Sequence, residues 1–317
     1  MPCRPNAHLA MGPWYHGEAN TTGYSLGAFD WGSDTSKWFR ENVMLPFLNQ
    51  YLKDGAPADI AKVTAFEVGA NQWRRLNDWP LACTSACPAN LTPLYLAPGN
   101  QVSFTAPSGE AFESYVSDPA RPVTYRPRPI LPTYAPGSTW RQWLVDDQRF
   151  AESRPDVLTY SSAPLTQPLH LAGQPLAHLV ASTSGTDSDW VVKLIDVYPP
   201  LYPQKAELGG YELPIAMDVI RGRYRNDPAH PTAVPANQPV TYEFALPNVD
   251  YVVQPGHRLM VQVQSSWFPL YDRNPQTYVD NIFLAKPNDY RKATVKIFDG
   301  GTNASYVEIP VVQSGHP

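Results

Sequence analysis

A histidine near the start of the chain is the residue best placed to do chemistry. His16 follows the apolar run at residues 11–15 and precedes Gly17. An imidazole in a glycine-bounded loop after a strand can take a proton from a nucleophile and return it to the leaving group. A lone histidine beside aromatic residues is more often structural. His16 therefore needs a nucleophile and an orienting carboxylate before it can act as a general base.

A second stretch resembles the surroundings of a serine nucleophile. Residues 23–27 read Gly-Tyr-Ser-Leu-Gly and match the G-x-S-x-G pattern. A nucleophile in that pattern needs a buried strand before the serine, a helix after it, and the chain order serine, acid, histidine. Here polar residues precede Ser25, and His16 comes before it. We therefore interpret residues 23–27 as a glycine-rich loop.

Two of the three cysteines lie close together. Cys83 and Cys87 occupy a proline-containing segment, which permits a local disulfide. A disulfide implies an oxidising compartment, and two reduced loop cysteines are the alternative. No second cysteine pair or paired histidines accompany them, so the sequence does not predict a zinc site. We expect no metal in this protein.

Two aspartates precede a long apolar run. Asp187 and Asp189 could supply carboxylate oxygens to calcium. Alternatively they accept hydrogen bonds at a turn, with Arg221 and Arg223 as partners, and this interpretation is favoured. Trp190, which follows them, is expected to pack in the core.

Composition limits the classes of protein to consider. The chain has 317 residues, of which 43% are hydrophobic and 17% charged, with 35 prolines and a net charge of -5. This length favours two unequal domains or one large β domain with an appendage. No basic cluster suits nucleic acid or an anionic membrane, and neither partner is predicted. The chain has no apolar run of about 18 residues and no signal peptide pattern, so we expect it to stay where it is made.

Hydrophobic spacing divides the chain into one helix and many strands. Apolar residues recur at helical intervals over residues 34–54, with Asp34 as N-cap, a kink at Pro46 and a stop at Gly55. Short strands separated by Gly, Pro and Asn follow. Residues 190–197 are apolar on both faces and predict a central strand, whereas residues 258–264 alternate and predict a strand with one buried face. Such a pattern predicts a β-sandwich of jelly-roll type.

Several long stretches resemble a known enzyme family. They are GPWYHG, WFRENVMLPFLNQYLKDG, NQWRRLNDWP, DSDWVVKLIDVYP, GGYELPIAMDVIRGRYR, PGHRLMVQVQSSWFPLYDRNPQTY and NIFLAKPNDYRKATVKIF. In this order they resemble the C-terminal part of an α-amino-acid ester hydrolase, a relative of cocaine esterase and the X-Pro dipeptidyl-peptidases. The resemblance covers nearly the whole chain from about residue 9.

The resemblance implies how the chain is divided. Residues 1–60 match the C-terminal remnant of an α/β-hydrolase domain, with its last helix, and residues 61–317 match a jelly-roll β-sandwich of the galactose-binding-like class. In that frame His16 matches the catalytic histidine of a Ser-Asp-His triad. Because the jelly-roll packs beside the active site in the family, Trp14, Tyr15 and Trp190 are candidate walls of the substrate pocket.

The resemblance also implies a function. The family hydrolyses α-amino-acid esters or amides, including α-amino β-lactam antibiotics, or X-Pro dipeptidyl substrates, through an acyl-enzyme and without a cofactor. The serine and the triad aspartate would precede residue 1, so we expect this chain to be inactive alone. The alternative is a non-catalytic β-sandwich for binding or assembly. Expected partners are the small ester or amide substrate, a hydrolase half or a second copy of the chain, and relatives suggest a periplasmic or secreted location.

Overall fold

The computed structural model describes residues 6–81 and 89–312, and the regular structure is mainly β, as predicted. In chain order the strands are β1 (Leu9–Met11), β2 (Ser25–Leu26), β3 (Phe29–Asp30), β4 (Val63–Glu67), β5 (Gln72–Leu76), β6 (Ala89–Ala97), β7 (Gln101–Ser103), β8 (Phe112–Ser117), β9 (Val157–Ser161), β10 (Leu169–Gly173), β11 (Leu176–Thr183), β12 (Asp189–Val197), β13 (Glu212–Arg221), β14 (Val240–Ala245), β15 (Val249–Val253), β16 (Arg258–Gln264), β17 (Ala293–Phe298) and β18 (Tyr306–Val312). The α-helices are α1 (Thr35–Phe39), α2 (Leu45–Leu52) and α3 (Arg149–Glu152), and a π-helical turn (Arg40–Met44) joins α1 to α2. Short 3-10 turns lie at Glu18–Asn20, Trp140–Val145, Ala206–Leu208, Gly222–Tyr224, Ile282–Leu284, Pro287–Asp289 and Gly301–Asn303.

Strands β6 to β18 form one hydrogen-bonded network around a large core. One group runs in the order β13-β12-β16-β9, and the short β7 links β9 to β6. The other group continues through β18, β11, β17 and β8, with β14 beside β11 and β15 beside β10. Leu194 and Val261 from the first group share one buried cluster with Leu179 and Ile297 from the second. The two groups therefore face each other across a single core, as in a β-sandwich.

The central strand of the first group is β12. It pairs with β13 on one side and β16 on the other, and residues 189–196 are all buried. The prediction of a central strand at residues 190–197 is confirmed. Burial extends to the two charged side chains within it, Lys193 and Asp196, which are at most 1% exposed.

Strand β16 forms where its alternating sequence predicted, but the expectation of one exposed face is wrong. Gln262 and Gln264 are 0% exposed. Residues 140–152 cover this outer face, and Gln148 there accepts a hydrogen bond of 2.9 Å from Lys193 Nζ. An alternating sequence predicts which side chains of a strand are polar. It does not reveal whether a distant segment of the chain packs over them.

A second sheet joins the N-terminal region to the sandwich. Strand β1 is parallel to β4, and β4 is antiparallel to β5. Just beyond β4, the Val68 N–H donates to the Asp250 carbonyl at 3.0 Å, and the Val252 N–H donates to the Val68 carbonyl at 2.8 Å. Gly69 follows with φ of +90°, and a Cβ there would lie 2.2 Å from the Val252 oxygen. Only glycine permits this approach of the β4 extension to β15.

The predicted helix at residues 34–54 is present with a change of pitch. Asp34 caps it by accepting a hydrogen bond of 3.0 Å from the Lys37 N–H. The Leu45 N–H donates to the Arg40 carbonyl five residues earlier, which defines the π-helical turn. Pro46, one residue later, has no N–H to continue the ordinary ladder, so the irregularity falls where the proline was expected to disturb the helix.

The C-terminal end of this helix differs from the prediction. The helix ends at Leu52. The residue that adopts a positive φ after it is Asp54, at +50°, rather than Gly55. One stripe of α2 stays uncovered, since Leu45, Leu48 and Leu52 are 51%, 37% and 74% exposed. Within the described ranges, no helix has the length and apolar character required to cross a membrane.

Candidate functional site

The loop that carries His16 leaves β1 and runs into the turn at Glu18–Asn20. Gly17 has φ of +89°, a left-handed conformation that lets the chain reverse direction. The indole of Trp14 folds back over Gly12, where a Cβ would lie 2.4 Å from the ring. This local path leaves the His16 side chain exposed at the tip of the loop.

Two hydrogen bonds on the N-terminal and C-terminal sides of His16 fix the loop. Trp14 Nε1 donates to the Thr35 hydroxyl at 2.9 Å, and Thr35 is the first residue of α1. The Tyr15 N–H donates to a carboxylate oxygen of Glu18 at 3.1 Å. His16 therefore projects from a loop that is anchored at Trp14 and Tyr15 and, through Glu18, on its other side.

An aromatic cluster ties this loop to the helix and the small sheet. The Trp14 ring lies 5.1 Å from Phe39 of α1 and 5.9 Å from Trp73 of β5, measured between ring centroids. Trp73 in turn stacks on Trp38 at 4.5 Å and meets the edge of Phe66 at 5.4 Å. Packed aromatic rings of this kind form a rigid apolar support. The cluster holds β1, α1 and β5 as one unit beneath the His16 loop.

A buried acid and an arginine from the β domain also act on this loop. Burial raises the pKa of Glu18, which is 3% exposed, while the Tyr15 N–H and the Arg141 charge oppose that rise. The Arg141 guanidinium lies 5.0 Å from the centroid of the Tyr15 ring. Arg141 belongs to the turn Trp140–Val145, so the segment that covers β16 also touches the histidine loop.

A cleft of about 520 Å³ opens beside His16. One wall is the loop itself, including Trp14 and Tyr15, and the facing wall comes from residues 248–251 together with Ile215. The structure thus brings three of the predicted site residues, Trp14, Tyr15 and His16, to one cleft. The β-domain residues of the facing wall were missed from the sequence, because they follow the loop by about two hundred positions or more and carry no local motif.

A buried ionic network connects this facing wall to the small sheet. Arg74 of β5 contacts Glu67 of β4 at 3.1 Å and Asp250 of β15 at 2.9 Å. His170 lies 3.5 Å from Glu67. Burial raises the pKa of Asp250 to about 6; Arg74 opposes this rise and Glu67 adds to it. The network fixes β4 and β5, and through them β1, to the sandwich.

Trp190 lies elsewhere. Its side chain is 0% exposed, and its ring centroid lies 3.9 Å from that of Tyr242 within the sandwich core. It is not among the residues that line the His16 cleft. The structure therefore does not bring Trp190 together with Trp14 and Tyr15, and its position matches the core role that was also considered.

Among the described residues, no hydroxyl or carboxylate hydrogen-bonds to the His16 imidazole. Ser25 lies on β2, where it pairs with Asp30 of the hairpin strand β3 and is exposed. A hairpin lacks the strand-to-helix turn that presents a nucleophile. Residues 23–27 are therefore not a nucleophile elbow.

The two aspartates before β12 form the ion pairs that were favoured over calcium binding. Asp187 accepts from Arg223 at 2.7 Å, with both side chains almost fully buried. Asp189 pairs with Arg221 at 3.0 Å and accepts from Asn274 at 2.8 Å. Burial raises the pKa of Asp189 to about 6, although Arg221 opposes the rise. These pairs fix the turn at the start of the central strand.

Residues 6–81 and 89–312 contain no group of three or more His, Cys, Asp or Glu side chains arranged to hold a metal ion. Cys83 and Cys87 lie outside the described residues, so their disulfide stays a prediction.

The fold and the cleft define a β-sandwich domain packed against a histidine-bearing loop. Residues 55–308 match the family model described as the X-Pro dipeptidyl-peptidase C-terminal non-catalytic domain, and the chain belongs to this family. His16 and its loop precede the matched region. The family predicted from the sequence motifs is therefore confirmed.

Three relatives that bear hydrolase names are similar to nearly the whole of this chain. Cocaine esterase from Rhodococcus sp. (strain MB1 Bresler) is 31% identical over 97% of this chain and 52% of its own length. The structure of an aminopeptidase from the marine sediment archaeon Thaumarchaeota archaeon is 48% identical, with a TM-score of 0.93 over 97% of this chain and 50% of its own. The structure of an α-amino acid ester hydrolase is 52% identical, with a TM-score of 0.92 over 96% of this chain and 50% of its own. The chain thus spans about half the length of these relatives.

Proposed function

We propose that this chain is the C-terminal portion of a serine hydrolase that cleaves α-amino-acid esters or amides, including α-amino β-lactams, or X-Pro dipeptidyl substrates. The observation that carries the proposal is His16, exposed on an anchored loop at the edge of a large cleft. The names of the relatives, an esterase, an aminopeptidase and an α-amino acid ester hydrolase, support the substrate class.

In this proposal residues 1–60 are the end of an α/β-hydrolase domain and residues 61–317 are a jelly-roll β-sandwich. The parallel pairing of β1 with β4 supports the first part, because parallel strands belong to sheets covered on both faces. The small sheet crosses this boundary, since β4 and β5 follow residue 60. The β domain would thus lend two strands to the hydrolase sheet.

The remaining hydrolase half would add to the open side of β1. Among the described strands, β1 pairs with β4 alone. Exposed leucines at positions 45, 48 and 52 of α2 supply an apolar face for the same partner. Exposed stripes of this kind are typical of surfaces that another element covers. We accordingly propose that the nucleophile and the triad acid come from that half and that the isolated chain is inactive.

The chemistry assigned to His16 is proton transfer. Its imidazole would take the proton of a serine as that oxygen attacks the acyl carbonyl, and would then protonate the departing alcohol or amine. Water would release the acyl group in a second step with the same proton path in reverse. Trp14 and Tyr15 would form one side of the acyl pocket, and the wall at residues 248–251 the other. No cofactor is needed for these steps.

Reconstitution tests this proposal. The 317-residue chain is assayed with phenylglycine methyl ester alone and after co-expression with the hydrolase half of a relative. We expect turnover only in the complex, and a loss of at least about 10³-fold in kcat for His16→Gln. His230→Gln is the matched control, since His230 is 84% exposed in its side chain and distant in sequence. Turnover by the chain alone, or an active His16→Gln complex, would contradict the assignment.

A non-catalytic binding or assembly module is the second candidate, and the description of the matched family as non-catalytic favours it. In that case the chain would self-associate or bind a partner without any esterase activity in the complex. Sedimentation of the chain with and without a hydrolase half separates the two functions. Association with the half plus turnover supports the hydrolase, whereas stable homo-oligomers that ignore the half support the module. A periplasmic or secreted location is proposed for either case.

A further inference from the structure

Most polar side chains on the walls of the His16 cleft already have partners within the protein. Trp14 Nε1 donates to a hydroxyl of α1 at 2.9 Å, and the Tyr251 hydroxyl donates to a carboxylate of β12 at 2.8 Å. The Asp250 carboxylate, whose side chain is 2% exposed, contacts Arg74 at 2.9 Å. These three side chains therefore shape the cleft without offering a polar group to a ligand.

Asn248, on the wall that faces the histidine loop, still has donors to offer. Its side-chain oxygen accepts a hydrogen bond of 2.9 Å from Trp79 Nε1. An indole N–H can only donate, so this bond fixes the amide with its oxygen toward Trp79 and its NH₂ group directed away from the indole. Among the described residues, no acceptor is found for that NH₂ group. Because Asn248 is exposed and lines the cleft, a ligand can reach it.

The surroundings of this amide indicate the kind of group that it would bind. Apolar side chains form much of the cleft lining, among them Phe66, Val68, Ile215 and Val249. Binding pockets of this type use a small number of fixed polar groups to orient an otherwise apolar ligand. The Asp250 carboxylate lies two residues further along the wall, and it disfavours an anionic ligand. An ether, hydroxyl or carbonyl oxygen on an apolar group is therefore the acceptor that suits Asn248.

We propose that Asn248 is a specificity-determining residue, whose Nδ2 donates to an uncharged oxygen in the side chain of an α-amino-acyl substrate. This inference rests on the proposed function, in which residues 248–251 form one side of the acyl pocket. Trp79 acts as a positioning residue, because it holds the amide in the orientation that presents the NH₂ group. An acyl side chain with a methylene in place of the oxygen loses one hydrogen bond, which corresponds to a discrimination of about two- to tenfold.

Matched pairs of amino-acid methyl esters test the proposal by binding to the 317-residue chain. One pair is O-methylserine and norvaline, the other 4-methoxyphenylglycine and 4-ethylphenylglycine, and within each pair an oxygen replaces a methylene of similar size. The pairs place this oxygen near to and far from the α-carbon. Calorimetric titration and saturation-transfer NMR measure the Kd, which we expect in the millimolar range for ligands of about ten heavy atoms or more.

In at least one pair the ester that carries the oxygen should bind about three- to tenfold more tightly than its partner. Equal affinities within both pairs, or no saturable binding, would overturn the proposal. Asn248→Asp keeps an oxygen that accepts from Trp79 and removes the NH₂ group, so it should abolish the preference. Asn281→Asp is the matched control, because Asn281 is exposed, accepts from the Phe283 N–H through Oδ1 and lies outside the cleft lining. A preference that persists in folded Asn248→Asp would also overturn the proposal.

Turnover separates this inference from the proposed function. In the complex with a hydrolase half, kcat/KM should favour the oxygen-bearing ester by about the same factor as binding does, and Asn248→Asp should bring the ratio close to one. A complex that hydrolyses both members of each pair equally well contradicts the role of Asn248 in the acyl pocket. A complex that hydrolyses none of the esters contradicts the proposed function, whereas binding at Asn248 is decided by the chain alone.

Discussion

Replacing the buried Lys193 with methionine should stabilise the protein at neutral pH and destabilise it at high pH. Lys193 is 0% exposed on the outer face of β12, and its Nζ donates to Gln148 and lies 5.8 Å from the Phe150 ring. Burial lowers its pKa to about 7, while the nearby Glu212 opposes this decrease. In the unfolded chain the amine has its ordinary pKa of about 10.5.

The magnitude follows from this difference. Below pH 7 the full cost of burying the charge acts, and it fades as pH rises toward 10.5, because unfolding takes up a proton over that interval. Each pH unit is worth about 1.4 kcal/mol, so the whole interval amounts to about 5 kcal/mol. The methionine variant loses the bond to Gln148 at a cost of about 1–3 kcal/mol. We therefore expect Lys193→Met to be more stable by roughly 2–4 kcal/mol at pH 7 and less stable by roughly 1–3 kcal/mol near pH 10.5.

Urea unfolding followed by tryptophan fluorescence between pH 7 and 10 measures this difference. The free energy of unfolding of Lys193→Met relative to the parent chain should fall by up to about 1.4 kcal/mol per pH unit. Lys37→Met is the control, because the Lys37 side chain is 62% exposed and its loss should change stability by less than about 0.5 kcal/mol. A loss of about 3–5 kcal/mol at every pH would refute the reasoning, since it would show a charged Lys193 that is paired in the fold.

Three other changes test separate parts of the structure. Gly69→Ala should cost more than about 3 kcal/mol in urea unfolding, because it adds a clash with a β15 carbonyl to a positive φ, whereas Gly99→Ala, with φ of +79° and open space around it, should cost only about 1–2 kcal/mol. Arg74→Met should cost about 3–5 kcal/mol, because it removes the cation that lies between the buried carboxylates of Glu67 and Asp250, and a cost below 1 kcal/mol would show that the network does not join the two sheets. Thiol titration under denaturing conditions without reductant should find Cys83 and Cys87 unreactive until a reductant is added, and immediate reaction of both would exclude the disulfide.

The elements with strong local patterns were predictable from the sequence. Strand β12 is buried on both faces as its apolar run indicates, and Asp34 caps the helix as its side chain and position suggest. The loop at His16 follows a strand and turns at Gly17, as its residues indicate. Each of these features depends on residues that are adjacent in the chain, so a short window contains the information.

The features that depend on distant residues were not predictable. Gln262 and Gln264 are buried because residues 140–152 fold over them, and nothing in the sequence of β16 indicates this packing. The cleft wall at residues 248–251 lies beside the His16 loop because Val68 pairs with β15 and Arg74 binds Asp250. Pairings between remote strands are decided by the whole core, which a single sequence does not reveal.

A smaller cavity, of about 180 Å³, adjoins the His16 cleft, and both are lined by Val68 and Tyr251. A substitution that reshapes one cavity also alters the other, so the two cannot be varied independently at these positions. Libraries that vary the His16 cleft should therefore keep both residues fixed and vary Ile215 and Asn248, which line this cleft and not the smaller cavity. Val68 and Tyr251 thus couple the shapes of the two cavities.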